Sequence, residues 1–384
     1  MRETPLQPAV SSEVHLRKVA RYPGLRVLAW DGEVLYACRG YQVVRLEIPA
    51  SDRLRNEKDA TWEPVARFRP ALWRNVTSSL PLAYRLVRDG FHALSVLPSR
   101  SADTNNQPTM IAAVPGAIVT RTSRDEFALT HKILRGTRPL HITAVPEGNV
   151  YWGEYFDNRE RAEVYIYASA DRGQTWQVGY TFPAGAIRHI HNIVHDPWGD
   201  CLWILTGDEG RECKVLRASC DLRSVDEVLS GNQQARAVAA IPTKDALYLS
   251  TDTPFERNHV LRLDRTGHVE AIADLESSSI FGCRTGSALF FSTMAEPSEM
   301  NTTRALDLVG SVNGNQWQVL AHWQKDNWPM RYFQYGNILL PDGNNATDFL
   351  AATAVAVKQD DLTTTLWEVE TRGDTYARKQ PLSV

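Results

Sequence analysis

The 384-residue chain has little cysteine, and what it has is not arranged for bridging. Cys38, Cys201, Cys213, Cys220 and Cys283 form no CxxC pair. An odd count without paired spacing argues against a disulfide framework and for reduced thiols. Long hydrophobic runs are also missing: the least polar stretch, "MIAAVPGAIV", is far too short to span a bilayer. The opening "MRETPLQPAVSSEVHLRK" lacks the apolar centre of a secretory signal, so a cytoplasmic protein is expected. A formal net charge of −3 leaves no electrostatic footprint for nucleic acid or an acidic membrane surface. There is no Gly-x-Ser-x-Gly elbow, phosphate loop or dinucleotide fingerprint, and no cofactor is expected. Helical periodicity is nearly absent. One candidate, "PALWRNVTSSLPLAYRLV" (Pro70 to Val87), is split by Pro81 into two short pieces.

What is present is a repeat. Short alternating β runs separated by turn residues recur along the chain in sets of about four. One set reads "RHIHNIVHD", "CLWILTGD", "CKVLRASC", "VDEVL"; the next reads "RAVAAIPT", "ALYLSTD", "HVLRLDR", "VEAIADL". First strands start near residues 25, 90, 140, 187, 236, 280 and 331. This is the period of four-stranded propeller blades. The expected fold is all-β: a seven-bladed β-propeller of four-stranded antiparallel blades, one domain over residues 1–384, with a helical insertion near 70–87. Closure is expected from "VHLRKVARY" (Val14 to Tyr22) as the outer strand of the last blade, with "TYARKQPL" (Thr375 to Leu382) as the alternative.

"SADRGQTW" (Ser169 to Trp176) has the pattern Ser-x-Asp-x-Gly-x-Thr-Trp, and "SVNGNQW" (Ser311 to Trp317) is a degenerate copy with Asn313 at the Asp position. The motif resembles the Asp box of the sialidase-like, glycosyl-hydrolase-like propellers. The resemblance implies a turn between third and fourth strands, with Asp171 holding turn amides and Trp176 packing on the blade, away from the binding face.

Blade topology places the candidate site. A residue entering a first strand and a residue leaving the second lie on the same face, the mouth of the channel. Arg138, Arg188, Arg236 and Arg331 stand at the entrances to first strands, and Glu154, Asp208, Asp252 and Glu296 at the exits from second strands. Charged loops follow: "EYFDNRERAE", "DEGREC", "DTPFERN" and "AEPSEMN". Arg188 and Asp208 are thus expected side by side, with Arg236 and Asp252 next to them. His189, His191 and His195 share strand parity and are read as packing between blades, so no metal is assigned. His189, nearest the mouth, is kept as a candidate acid or base, with His141 as its companion.

These positions lead to a glycoside hydrolase acting on an acidic oligo- or polysaccharide. Its carboxyl candidates are Glu154, Asp208, Glu209, Asp252, Glu256 and Glu296. Arg188, Arg236 and Arg331 would grip the acidic sugar, with Phe255, Trp328, Tyr332 and Tyr335 as aromatic stacking faces. A polysaccharide lyase using His189 or Tyr155 on a uronate is one alternative. A non-catalytic carbohydrate- or protein-binding propeller is the other.

Overall fold

The computed structural model describes residues 13–48, 61–99 and 107–372. Each set of short runs becomes one sheet, and the seven sheets form the seven blades of a β-propeller. The first strands are Arg26–Gly32, Ala93–Leu97, Thr143–Ala144, His189–Asp196, Ala237–Pro242, Ser279–Thr285 and Asn337–Leu339.

Blade four shows why the sequence folds this way. Its second strand, Cys201–Gly207, is buried at every position. Alternate side chains leave opposite faces of a strand. Leu202 and Ile204 therefore pack on Tyr151 and Val164 of blade three, while Cys201, Trp203 and Leu205 pack on Leu247 and Leu249 of blade five. The pattern repeats around the ring, so the core is a circle of seven apolar layers, one between each pair of neighbouring blades. Each fully buried Leu, Ile or Phe in such a layer contributes about 1.5–3 kcal/mol.

The ring closes through Glu13–Pro23, which pairs antiparallel with Thr363–Arg372 as the outer strand of blade seven. This is the N-terminal closure expected from the sequence; the alternative at Thr375–Leu382 lies outside the described residues. Blade seven departs from expectation at its inner edge. Residues 331–336 form a loop, and its first strand has only three residues before Pro341. The following Asp342–Asn345 crosses to blade one and pairs in parallel with Arg26–Gly32, giving that blade a fifth strand. Gly343 permits this: its φ is +90°, and a Cβ there would lie 2.2 Å from the Trp30 carbonyl oxygen.

Two helices, Leu72–Ser79 and Pro81–Val87, occupy the connection between blades one and two, broken where Pro81 begins the second. This connection runs over the mouth face. On the opposite face lies the turn after Val164–Ser169. Asp171 accepts from the amides of Gln174 and Thr175, and Ser169 Oγ accepts from the Gly173 amide. The same construction recurs at Ser219/Asp221 and at Ser311/Asn313. It is a local solution to orphan amides, reached with three different sequences.

Also on that opposite face, Asp196 in "DPWGD" accepts from the Trp198 and Gly199 amides at 3.0 Å each and from the Trp203 indole at 2.9 Å. It also pairs with Arg265 of blade five. Burial alone would raise its pKa, but the bonds from Arg265, Trp203 and Gly199 hold it below the ordinary carboxylate value of 3.8. A depressed folded pKa means stability that is present above the unfolded pKa and lost as pH falls through the folded one. Denaturant unfolding followed from pH 6 downward should therefore show stability falling below about pH 4. Asp196→Asn should start lower at pH 6 and show a flatter acid limb; an unchanged acid limb would refute this role.

Candidate functional site

Blade four brings its functional side chains to the mouth through one hairpin. His189–Asp196 leaves the mouth and Cys201–Gly207 returns to it, so His189 pairs with Gly207, next to Asp208. Strand alternation puts His189 and His191 on the same side, and a bulge between Ile190 and Asn192 leaves His191 out of the ladder. The imidazole Nε2 atoms of His189 and His191 are 3.1 Å apart, and Asp208 Oδ1 lies 3.4 Å from the first and 3.3 Å from the second. His189 Nδ1 is 3.0 Å from the Phe156 carbonyl oxygen, and His191 Nδ1 is 2.9 Å from that of Ala237.

The neighbouring charges complete the cluster. Arg188 reaches Asp208 at 3.0 Å and Asp157 at 2.7 Å. Arg236 reaches Asp208 at 3.3 Å and Asp252 at 3.4 Å. Arg161 pairs with Glu212 and, at 3.7 Å, with Glu209. Tyr155 packs against His189 with ring centroids 4.3 Å apart and the planes tilted by 46°.

The electrostatics follow from burial. Burial would raise the Asp208 pKa, but His189 and His191 outweigh it and hold the carboxyl well below the usual range. Burial lowers the His189 pKa against the pull of Asp208. Burial raises Asp252 against the opposing charge of Arg236. Glu296 is pushed up to about 7 by burial and by the charges of Asp252 and Asp208. Tyr155 is pushed up to about 12 by burial and Asp208.

Other sequence candidates stand apart. Glu154 is buried between Arg135 and the Tyr165 amide, facing away from the cluster, and Phe156 and Tyr165 sandwich the guanidinium. His141 is 3.0 Å from Asp342, so it is no companion of His189. His195 lies beyond the bulge near the opposite face. Arg138 donates to the Arg88 carbonyl, and Glu256 accepts from Gln234. Arg331 is exposed over the Tyr332 ring. Trp328 is also exposed, while Tyr335 is half-buried within the influence of Glu296. Asp157 and Arg161 were not singled out from the sequence. Their place in the charged loop "EYFDNRERAE" was the available signal.

No protein-family model matches the chain, and no curated protein matches it. Solved structures do. Virginiamycin B lyase from Staphylococcus aureus is similar at TM-score 0.53 and 10% identity, over 93% of this chain and 99% of that one. A chain of the mitotic checkpoint complex is similar at TM-score 0.54 and 10% identity, over 96% of each chain. The WD40 propeller domain of Doa1 is similar at TM-score 0.53 and 8% identity, over 92% and 97%. These similarities define the class of the protein, a seven-bladed β-propeller.

They also overturn the sialidase-like resemblance, because the neighbours are a streptogramin-type lyase and WD40 propellers. The Asp-x-Gly turn did not carry the family, since the same hydrogen bonds arise here from unrelated turn sequences. The carbohydrate-active reading falls with it. Arg188 and Arg236 are committed to carboxylates, so neither is free to grip an acidic sugar. An enzyme is among the neighbours, but a glycoside hydrolase is not among those named.

Arg236→Ala should destabilise the chain by about 2–4 kcal/mol, because it leaves Asp208 and Asp252 short of counter-charge in a desolvated cluster. Adding Asp252→Asn should recover part of that loss. Denaturant midpoints that barely move in Arg236→Ala would mean the cluster is solvated and weak.

Proposed function

We propose that this chain is a binding propeller that docks a partner protein on its mouth face. One observation carries the reading: the two helices over the mouth are inside out. The buried residue of the second helix is Arg85, which pairs with Asp326 and Asp361 of neighbouring mouth loops. The first helix turns Arg74 and Thr77 inward onto buried Asp89, which also accepts from Tyr41. The apolar residues point outward instead: Leu72 is 85% exposed and Val76 60%, with Trp73, Leu80, Leu82 and Leu86 all above half. Trp328 and Tyr332 are exposed on the loop whose Phe333 ring faces Arg85, and this extends the patch.

An ordinary surface helix buries its apolar stripe and leaves charge in water. Here the arrangement is reversed, with polar anchors fixing the hairpin to the ring and apolar groups presented to solvent. A contiguous apolar patch of this kind marks an interaction surface. Aromatic residues at its edge fit the composition of protein-binding anchors. A propeller chain from a multiprotein assembly and a WD40 domain among the similar structures support the same reading. Among the described residues, no helix is long and apolar enough to cross a membrane.

The test is site-specific photocrosslinking in native extract, with the probe at position 76 or 82 and, as a comparison, at the exposed Val178 on an outer strand. The hairpin positions should give one discrete adduct that is lost in Trp73→Ser, a variant expected to keep its melting temperature. Equal labelling from Val178, or no discrete adduct from the hairpin, would overturn the proposal.

A further inference from the structure

A protein-docking hairpin does not account for the arrangement of His189, His191 and Asp208. We propose that His189 Nε2, His191 Nε2 and one oxygen of Asp208 form a binding site for a divalent transition-metal ion of the zinc class. This does not depend on the docking reading.

The first ground is the direction of the hydrogens. A carbonyl oxygen only accepts, so the imidazole contacts to Phe156 and Ala237 put the hydrogen on Nδ1 in both rings. In the neutral rings both Nε2 atoms then carry lone pairs, and these converge on each other and on a carboxylate oxygen. The two Nε2 lone pairs, on imidazoles 5% and 3% exposed, face each other and an Asp208 oxygen whose other neighbour is Arg236 at 3.3 Å; a cation between the rings relieves their repulsion. A single proton can bridge only one of these contacts; a metal ion satisfies all three.

The second ground is spacing. Zinc–nitrogen bonds of about 2.0–2.1 Å place neighbouring ligand atoms of a tetrahedron about 3.3–3.4 Å apart. The distances here are 3.1, 3.3 and 3.4 Å. Two imidazoles and a carboxylate suit zinc and its transition-metal neighbours rather than calcium or magnesium, which take oxygen donors.

The third ground is the surroundings. The Nδ1–carbonyl bonds are the outer-shell contacts that orient metal-binding imidazoles. Arg188 and Arg236 orient the Asp208 carboxylate through contacts of 3.0 and 3.3 Å. Asp208 is the least buried of the three ligands, its side chain 15% exposed, so the open position and the approach for an ion lie on its side.

The full-length chain, stripped with a chelator and dialysed, should take up about one Zn2+ per chain by calorimetric titration. Its Tm should rise with zinc, and Co2+ should give the visible bands of a low-coordinate ion. His191→Ala and Asp208→Asn should weaken Zn2+ binding by more than the roughly 10–100-fold that loss of an outer-shell contact costs. His195→Ala, in a separate His195–Asp200–Cys220 group near the opposite face, should bind as the parent does. If Asp208→Asn fails to fold, His189→Ala and His191→Ala decide the matter, with circular dichroism confirming their fold. Absence of stoichiometric binding in the parent, undiminished binding in His191→Ala, or loss in His195→Ala would overturn the assignment.

Discussion

The structure depends on the pairing of the two ends of the chain. Glu13–Pro23 lies against Thr363–Arg372 and supplies Val14 and Ala20 to the two apolar layers that flank blade seven. Without that strand the last blade has an open edge and both layers lose part of their packing. The entropic cost of joining such distant residues grows only slowly with separation. Arg188 and Asp208 of blade four meet Arg236 and Asp252 of blade five because those neighbouring blades share one apolar layer.

The mouth face has two zones of opposite character. Over blades three to six, charges meet and neutralise one another around two imidazoles. Over blades one, six and seven, a helical hairpin is bolted down by buried ion pairs and turns its leucines outward. In both zones, polar groups are invested in internal order rather than left free for an acidic ligand. The saccharide reading assumed available arginines, and the structure shows Arg188 and Arg236 occupied.

Much of this was legible in the sequence. The blade repeat could be read because strands buried on both faces carry apolar residues at nearly every position, separated by turn residues at a steady interval. The meeting of Arg188 with Asp208 followed from topology alone, since one enters a strand where the other leaves its partner. Pro81 marked the break between the helices. What escaped was local geometry that leaves no compositional trace. The bulge at His191 shifts strand parity, so the simple alternation that grouped His195 with His189 and His191 fails beyond it. Related bulges occur near the start of the first strands of blades one, five and six. The inside-out helices were equally hidden, because an apolar stripe reads the same whether it faces a core or a partner. The turn at Asp171 gave the correct hydrogen bonds and the wrong family, because amide capping by Ser and Asp belongs to turns in general.

The central claim is that one hairpin of blade four gathers two imidazoles and a carboxylate into a single ligating point. X-ray absorption at the zinc edge of the zinc-loaded full-length chain tests it most directly. The account predicts a first shell of nitrogen and oxygen at about 2.0–2.1 Å, with the outer scattering of two imidazoles. A sulfur contribution at about 2.3 Å would place the ion at Cys220 on the other face, and a shell of water oxygens alone would leave the histidines without a metal; either result would contradict the claim.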